Sequence, residues 1–300
     1  LLFFAVFYSR YGTTDDVEMQ MILSGKAVIN QPYAYLRYSH VFIGFILSFL
    51  YENIPSIPWY GSYLSLAHFM GMTAILYSIL LLRPSIFSLS FYLLIFLVGE
   101  TLLLQELQFT SSSIVLCSGG LLLLYVEHSS VDKGRLGCTL VAILALIWGS
   151  MIRWESFQLS LILGIPLLVL ASIESQKWRT IWIGMLGITT SAFLIHQSHY
   201  LIENQDPSWK NYNNFKQSLS AHNILDYQKS QYLWNENTAD DYFYKVGWEY
   251  EDFQLFKQWF FADTTVFGLQ QFSAIQSSFE DCPTPVEDIE ERSWNFWIEQ

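Results

Sequence analysis

Long apolar runs separated by short polar breaks dominate the first two-thirds of the chain. They occupy residues 61–82, 86–104, 112–127, 137–152, 156–173 and 180–196, and a shorter apolar stretch covers 1–8. A bilayer core needs about 20 mostly apolar residues per helix, so each run predicts a membrane-spanning helix, with 1–8 as the end of one that begins earlier. The pattern predicts an all-α fold, a polytopic transmembrane helix bundle of about seven spans within 1–196.

One apolar segment, His40–Glu52, is too short for an ordinary span. It fits either a short span or a helix lying at the membrane surface. The short loops richest in Lys and Arg, around 83, 131–137 and 174–180, share one side if 1–8 spans the membrane and this segment does not. Short basic loops face the cytoplasm, so we expect a surface helix here and a tail outside the cytoplasm.

The first loop, residues 9–60, contains a second short helix, predicted over Asp15–Leu23. Its expected apolar face consists of Val17, Met21 and Leu23. Asp15 and Glu18 stand three residues apart, as in a capping box at a helix start. The first loop is therefore expected to be partly helical and to carry an acidic pair, Asp15 and Asp16, just outside the first span.

Residues 197–300 differ sharply from the rest of the chain. Residues 201–300 hold 17 acidic and 6 basic side chains and six tryptophans, a content of aromatic residues too high for a disordered segment. Helices are predicted over 209–219, 240–246, with Gly247 as the C-cap, and 249–261. We expect a small, mainly helical, extracytoplasmic soluble domain. Its acidity excludes nucleic acid as a partner, because phosphate binding needs clustered Lys and Arg.

The acidic pair Asp15-Asp16 is the first candidate for chemistry. Either carboxylate could act as a general base toward an acceptor hydroxyl, or the pair could hold a divalent metal ion beside a phosphate. The alternative is a purely structural role at a helix N-terminus, where acids are favoured. No cofactor is otherwise indicated.

Arg153 and Glu155 form the second candidate, in the turn between two predicted spans on the outer side. The guanidinium fork suits a phosphate or pyrophosphate. The structural alternative is an Arg–Glu ion pair at the membrane surface.

The third candidate is a set of polar side chains near the outer end of the bundle. Glu100 lies inside a predicted span, where a carboxylate is costly and usually faces a cavity or a partner. Glu106, Gln108 and His68 are expected at the same end as the acidic pair and Arg153, as substrate-binding residues. The sequence has no P-loop and no dinucleotide glycine fingerprint, so a nucleotide is not expected as a ligand.

The layout resembles the membrane glycosyltransferases of the GT-C fold, which have a first helix, a long outside loop with an acidic pair, further spans and often an outside soluble domain. The runs Asp15-Asp16-Val-Glu-Met-Gln-Met-Ile-Leu-Ser-Gly25, Pro58-Trp59-Tyr60 and Ile152-Arg153-Trp154-Glu155-Ser156 also resemble a family of bacterial polytopic membrane proteins without an assigned activity. The tail motif Trp259-Phe260-Phe261-Ala262-Asp263 is similar to that family too.

The first resemblance implies a multi-pass enzyme of the bacterial cell membrane that moves a sugar from a polyprenyl-phosphate donor to a cell-surface glycan or lipid. It implies Asp15 or Asp16 as the base and Arg153 on the donor phosphate. Two other classes stay open. One is a transporter or flippase with Glu100 and His68 in a coupling path, and the other is a non-catalytic membrane assembly protein.

Overall fold

The computed structural model describes residues 9–26, 31–129, 136–176, 178–207, 209 and 247–248, and 81% of these are helical. The chain divides into two compact units, Leu1–Trp209 and Lys210–Gln300. In the second unit, Gly247 has a φ of 74°, in the left-handed region that favours glycine at a helix C-cap. The helices predicted in the tail, and the apolar stretch 1–8, lie outside the described residues.

The described part of the first unit contains eight helices and two very short strands. The helices are α1 (Thr14–Ser24), α2 (Val41–Asn53), α3 (Trp59–Leu82), α4 (Ile86–Gln105), α5 (Phe109–Ser129), α6 (Leu136–Ile152), α7 (Trp154–Ser175) and α8 (Trp178–Glu203). The strands β1 (Arg10–Tyr11) and β2 (Glu106–Leu107) pair in parallel. The strand pair attaches the start of the first loop to the end of α4.

Five of these helices, α3, α4, α5, α7 and α8, are long and apolar enough to cross a membrane. The protein is therefore a helical membrane protein. α6 is also apolar but has only 17 residues. Compared with the sequence prediction, α8 continues past 196 to Glu203, seven residues beyond the apolar run.

The six helices α3 to α8 alternate in direction, so the starts of α3, α5 and α7 and the ends of α4, α6 and α8 lie together. We call this the α1 end of the bundle, because α1 packs there. One contact shows the arrangement: Ser113 of α5 donates hydrogen bonds to the carbonyl oxygens of Gly149 and Arg153, at the end of α6 and just before α7. Every candidate residue of the predicted outer cavity except His68 and Glu100 sits in a loop or helix terminus at this end.

α2 lies across the α1 end and does not run along the bundle. At its start, the His40 N–H donates to the Met151 carbonyl at 2.8 Å and the Val41 N–H donates to His199 Nδ1 at 3.2 Å. At its other end, Tyr51 accepts a hydrogen bond from the Tyr60 N–H at 3.0 Å. All three partners belong to the α1 end, so both ends of α2 are held there.

Glycine allows a close helix contact between α3 and α5. A Cβ on Gly71 would lie 2.6 Å from the Val115 carbonyl oxygen, and a Cβ on Gly119 would lie 2.6 Å from the Gly71 carbonyl oxygen. Small residues let membrane helices approach until their backbones touch. Gly71 and Gly119 therefore bring the backbones of α3 and α5 together.

The chain after α8 is tied back to the first loop by polar and aromatic contacts. Trp209 is buried; its indole N–H donates to Glu203 at 2.6 Å and its ring stacks on Tyr35. Tyr33 donates to Asp206 at 2.5 Å. These contacts fix the segment 31–36 against the end of α8, and so they position the residues that follow it, Arg37 to His40.

Candidate functional site

Asp16 is fully buried and its carboxylate accepts three hydrogen bonds. Oδ1 accepts from the Tyr60 hydroxyl at 2.9 Å and from the Phe109 N–H at 3.1 Å, and Oδ2 accepts from the Thr13 hydroxyl at 2.6 Å. The donors belong to the starts of α3 and α5 and to the turn before α1. Asp16 therefore joins three elements of the fold, and burial raises the pKa of its carboxyl above the ordinary value of 3.8.

The structure corrects two expectations about α1. The capping residue is Thr13, whose hydroxyl oxygen accepts the Asp16 N–H, and it is not Asp15. Val17 and Met21, expected on the apolar face, are 41% and 38% exposed. The buried face instead carries Asp16, Met19, Ile22 and Leu23. The physical reason is that three hydrogen-bond donors meet the Asp16 carboxylate inside the protein. Asp16 can therefore face the core, and the apolar Val17 faces outward.

Asp15, the neighbour of Asp16, is half-buried and makes no hydrogen bond or ion pair with other described residues. Its charge acts on the hydroxyl of Tyr38, whose pKa is raised chiefly by burial. Asp15 and Glu18 raise that pKa further, while Arg37 and Arg153 lower it. The charges of two acids and two arginines thus act on Tyr38, and we call these five residues the Tyr38 cluster.

Arg153 reaches the Tyr38 cluster from the turn between α6 and α7. Its guanidinium donates to the Thr110 hydroxyl and lies over two aromatic rings, 4.7 Å from the centroid of Phe109 and 5.7 Å from that of Tyr38. It also pairs with Glu155 at 3.5 Å, the structural alternative considered above. The Arg153 side chain keeps 27% of its surface exposed, so a phosphate could still reach it.

Glu106 and Gln108 lie at the same end but serve local structure. Glu106 is exposed on β2 and forms an ion pair with Arg10 of β1. The Gln108 carbonyl accepts the hydroxyls of Ser111 and Ser112 at the start of α5. Neither contact brings the two side chains into the Tyr38 cluster.

His68 lies away from the Tyr38 cluster, inside the bundle. It is fully buried on α3, and its Nδ1 is 2.8 Å from Oε1 of Glu100 on α4. The sequence placed His68 and Glu100 in one cavity with the acidic pair. The structure instead joins them to each other within the apolar helices.

A small cavity lies beside the Tyr38 cluster, between the segment before α2 and the ends of α6, α7 and α8. Its lining includes Arg37, Tyr38, His40, Trp154, His196 and Tyr200. Its volume of about 40 Å³ holds a few water molecules and no sugar. A larger ligand in this cavity therefore requires the residues that line it to move apart.

Sequence reasoning missed the most central residues of this end. Tyr38 and Arg37 carry no motif, and Tyr60 belongs only to the Pro58-Trp59-Tyr60 run. A usable signal was the adjacent Arg37-Tyr38 pair within the first loop, which the sequence predicts to lie outside the cytoplasm, where arginine is less common. Among the described residues, no three His, Cys, Asp or Glu side chains gather into a metal-binding group.

Comparisons with known proteins assign no function, so the function is inferred from the chemistry of these residues. No protein-family model, no curated protein and no solved structure matches the chain.

Proposed function

We propose that the protein is a membrane glycosyltransferase-like enzyme that moves a sugar from a polyprenyl-phosphate donor to an acceptor hydroxyl of a cell-surface glycan or lipid. The Asp15 carboxylate removes the proton from that hydroxyl. The oxygen then attacks the anomeric carbon, whose bond to the lipid phosphate breaks with inversion. Arg153 stabilises the negative charge that develops on the departing phosphate.

One observation carries this proposal: an accessible carboxylate and two arginines converge on Tyr38 at one end of a membrane bundle. Arg37 and Arg153 lie 5.3 and 5.7 Å from the centroid of the Tyr38 ring, and the charge of Asp15 acts on the same phenol. A base for the acceptor and cations for the phosphate are the two groups that such a transfer needs. Asp16 is excluded as the base in this proposal, because its carboxylate is buried and its oxygens are already hydrogen-bonded.

The proposal includes a topology with seven spans and the α1 end outside the cytoplasm. In support, α2 lies across that end and does not add a crossing. The opposite end carries the basic loops around 83, 131–137 and 174–180, which is the distribution found on the cytoplasmic side. The tail that follows α8, from residue 204 onward, is then an extracytoplasmic domain.

The test uses the full chain in liposomes with a panel of short-chain polyprenyl-phosphate sugars, and release of the polyprenyl phosphate is measured. Asp15→Asn should lower the transfer rate by about 10²- to 10⁴-fold, the usual contribution of a general base. Arg153→Met should also lower it, through loss of the charge on the phosphate.

The matched control is Asp16→Asn, which keeps the hydrogen-bonding shape of the neighbouring carboxylate. It should retain most of the activity if Asp16 is structural. Full activity of a folded Asp15→Asn variant contradicts the assignment of the base, and so does loss of activity confined to Asp16→Asn.

A further inference from the structure

The polar pair inside the bundle, His68 and Glu100, has no part in the proposed transfer. Both side chains are almost completely buried, with 0% and 3% of their surface exposed. Glu100 lies five residues before the end of α4, so it is about 8 Å below the α1 end at 1.5 Å per residue. A carboxylate at this depth is expensive unless a partner neutralises it.

The local geometry of α4 directs Glu100 inward. The inward residues of this otherwise exposed helix are Tyr92, Phe96, Glu100 and Leu104, each four positions from the last. On an ideal helix each such step turns the side chain by about 40°. A π-helical turn over Phe96–Glu100 holds one more residue and compensates for this drift. The irregular turn thus keeps Glu100 facing His68.

The hydrogen-bond distances show that the pair shares a proton. The Ser111 hydroxyl lies 2.9 Å from the main-chain carbonyl of Gln108 and 3.5 Å from His68 Nε2, and it can donate its proton to either atom. When it donates to the carbonyl, Nε2 carries a hydrogen, and when it donates to Nε2, that nitrogen is bare. Nδ1 faces Oε1 of Glu100 at 2.8 Å, and two lone pairs repel at that distance. One proton therefore lies between Nδ1 and Oε1, whichever atom binds it.

We propose that Glu100 and His68 form a proton-binding site within the membrane part of the protein. In the loaded state the pair is neutral overall, either as acid and imidazole or as carboxylate and imidazolium. In the unloaded state the pair carries one negative charge, with Nδ1–H donating to the carboxylate and Nε2 bare. The Ser111 hydroxyl then turns from the Gln108 carbonyl to donate to Nε2.

Three helices supply the side chains in contact with the pair. α3 contributes His68 itself, α5 contributes the uncharged Ser111, and α4 contributes Tyr92, whose phenol interacts electrostatically with Glu100. None of these side chains supplies a positive charge that would stabilise the unloaded pair. The Ser111 rotation links proton loading to the start of α5, next to the Phe109 N–H that holds Asp16. The site is independent of the proposed transfer reaction.

The test is ¹⁵N NMR of the full chain in detergent micelles with labelled histidine, because ring nitrogen shifts report the tautomer. The chain has six histidines, and His68→Gln identifies the signal. As the pH rises from about 5 to about 10, the His68 ring should pass once from the loaded state to the Nδ1–H tautomer. In Glu100→Gln the neutral amide no longer stabilises a protonated ring, so the transition should move to lower pH.

Ser111→Ala removes the hydroxyl that contacts Nε2 in both states, so the ring should still pass from the loaded to the unloaded state. Glu52→Gln, at the exposed end of α2, is the matched control and should leave the midpoint unchanged. One unchanging tautomer across the range, or a wild-type titration in Glu100→Gln, overturns the proposal. If Glu100→Gln does not fold, the titration of the wild-type chain alone keeps the test decisive.

Discussion

Replacing Asp16 separates its structural role from catalysis. In the wild-type chain the Tyr60 hydroxyl and the Phe109 N–H both donate to Oδ1 of Asp16. Asp16→Ala leaves these two buried donors without an acceptor. A buried donor without a partner costs about 1–3 kcal/mol, so the two together predict a loss of roughly 2–6 kcal/mol in the free energy of unfolding. Thr13 loses its acceptor as well, but its hydroxyl is only partly buried and can turn to water.

Asp16→Asn is the matched comparison. The amide oxygen replaces Oδ1 and accepts from both donors, while the amide nitrogen faces the Thr13 hydroxyl, which can accept instead of donating. The loss should stay below about 1.5 kcal/mol, the net value of one ordinary hydrogen bond. The difference between the two variants isolates the hydrogen bonds from the charge.

The assay is reversible unfolding in mixed micelles of a mild detergent and a denaturing one, followed by tryptophan fluorescence. The expected order of stability is wild type, then Asp16→Asn by a small margin, then Asp16→Ala far below. If the free energy of unfolding of Asp16→Ala lies within about 0.5 kcal/mol of the wild-type value, the carboxylate does not hold the three elements together. That result refutes the reasoning.

Two further predictions concern pH and close packing. Burial raises the pKa of the Asp16 carboxyl above 3.8, so the folded chain binds a proton at Asp16 more tightly than the unfolded chain does. The resulting stabilisation is complete below pH 3.8 and is lost as the pH rises through the pKa of the folded chain. Unfolding titrations across that window should show the wild type losing stability relative to Asp16→Asn, and a constant difference contradicts the shift. Gly71→Ala should destabilise the bundle by about 1–3 kcal/mol, because the added methyl meets the Val115 carbonyl at 2.6 Å. Gly187→Ala on α8, where nothing lies within 4 Å, should be neutral or slightly stabilising by thermal unfolding, and equal losses in both variants contradict the close-contact explanation.

The sequence by itself determined the membrane helices and their approximate limits. Apolar runs long enough for a bilayer lie at the positions of α3, α4, α5, α7 and α8, because hydrophobicity and length are local properties of the chain. It also indicated the short helix that begins with the acidic pair, and the shortness of 40–52. The helix ends were predicted less accurately, since α8 continues beyond the apolar run to Glu203.

Only the tertiary structure decided which polar residues meet. Adjacent residues of a helix point about 100° apart, so Asp15 and Asp16 look equivalent in the sequence while one is half-buried and the other is fully buried. The partners of Asp16 are 44 and 93 positions away, and Glu100 is 32 positions from His68. Such pairings depend on how helices dock, which no local pattern encodes. The close approach of α3 and α5 and the π-helical turn of α4 determine them.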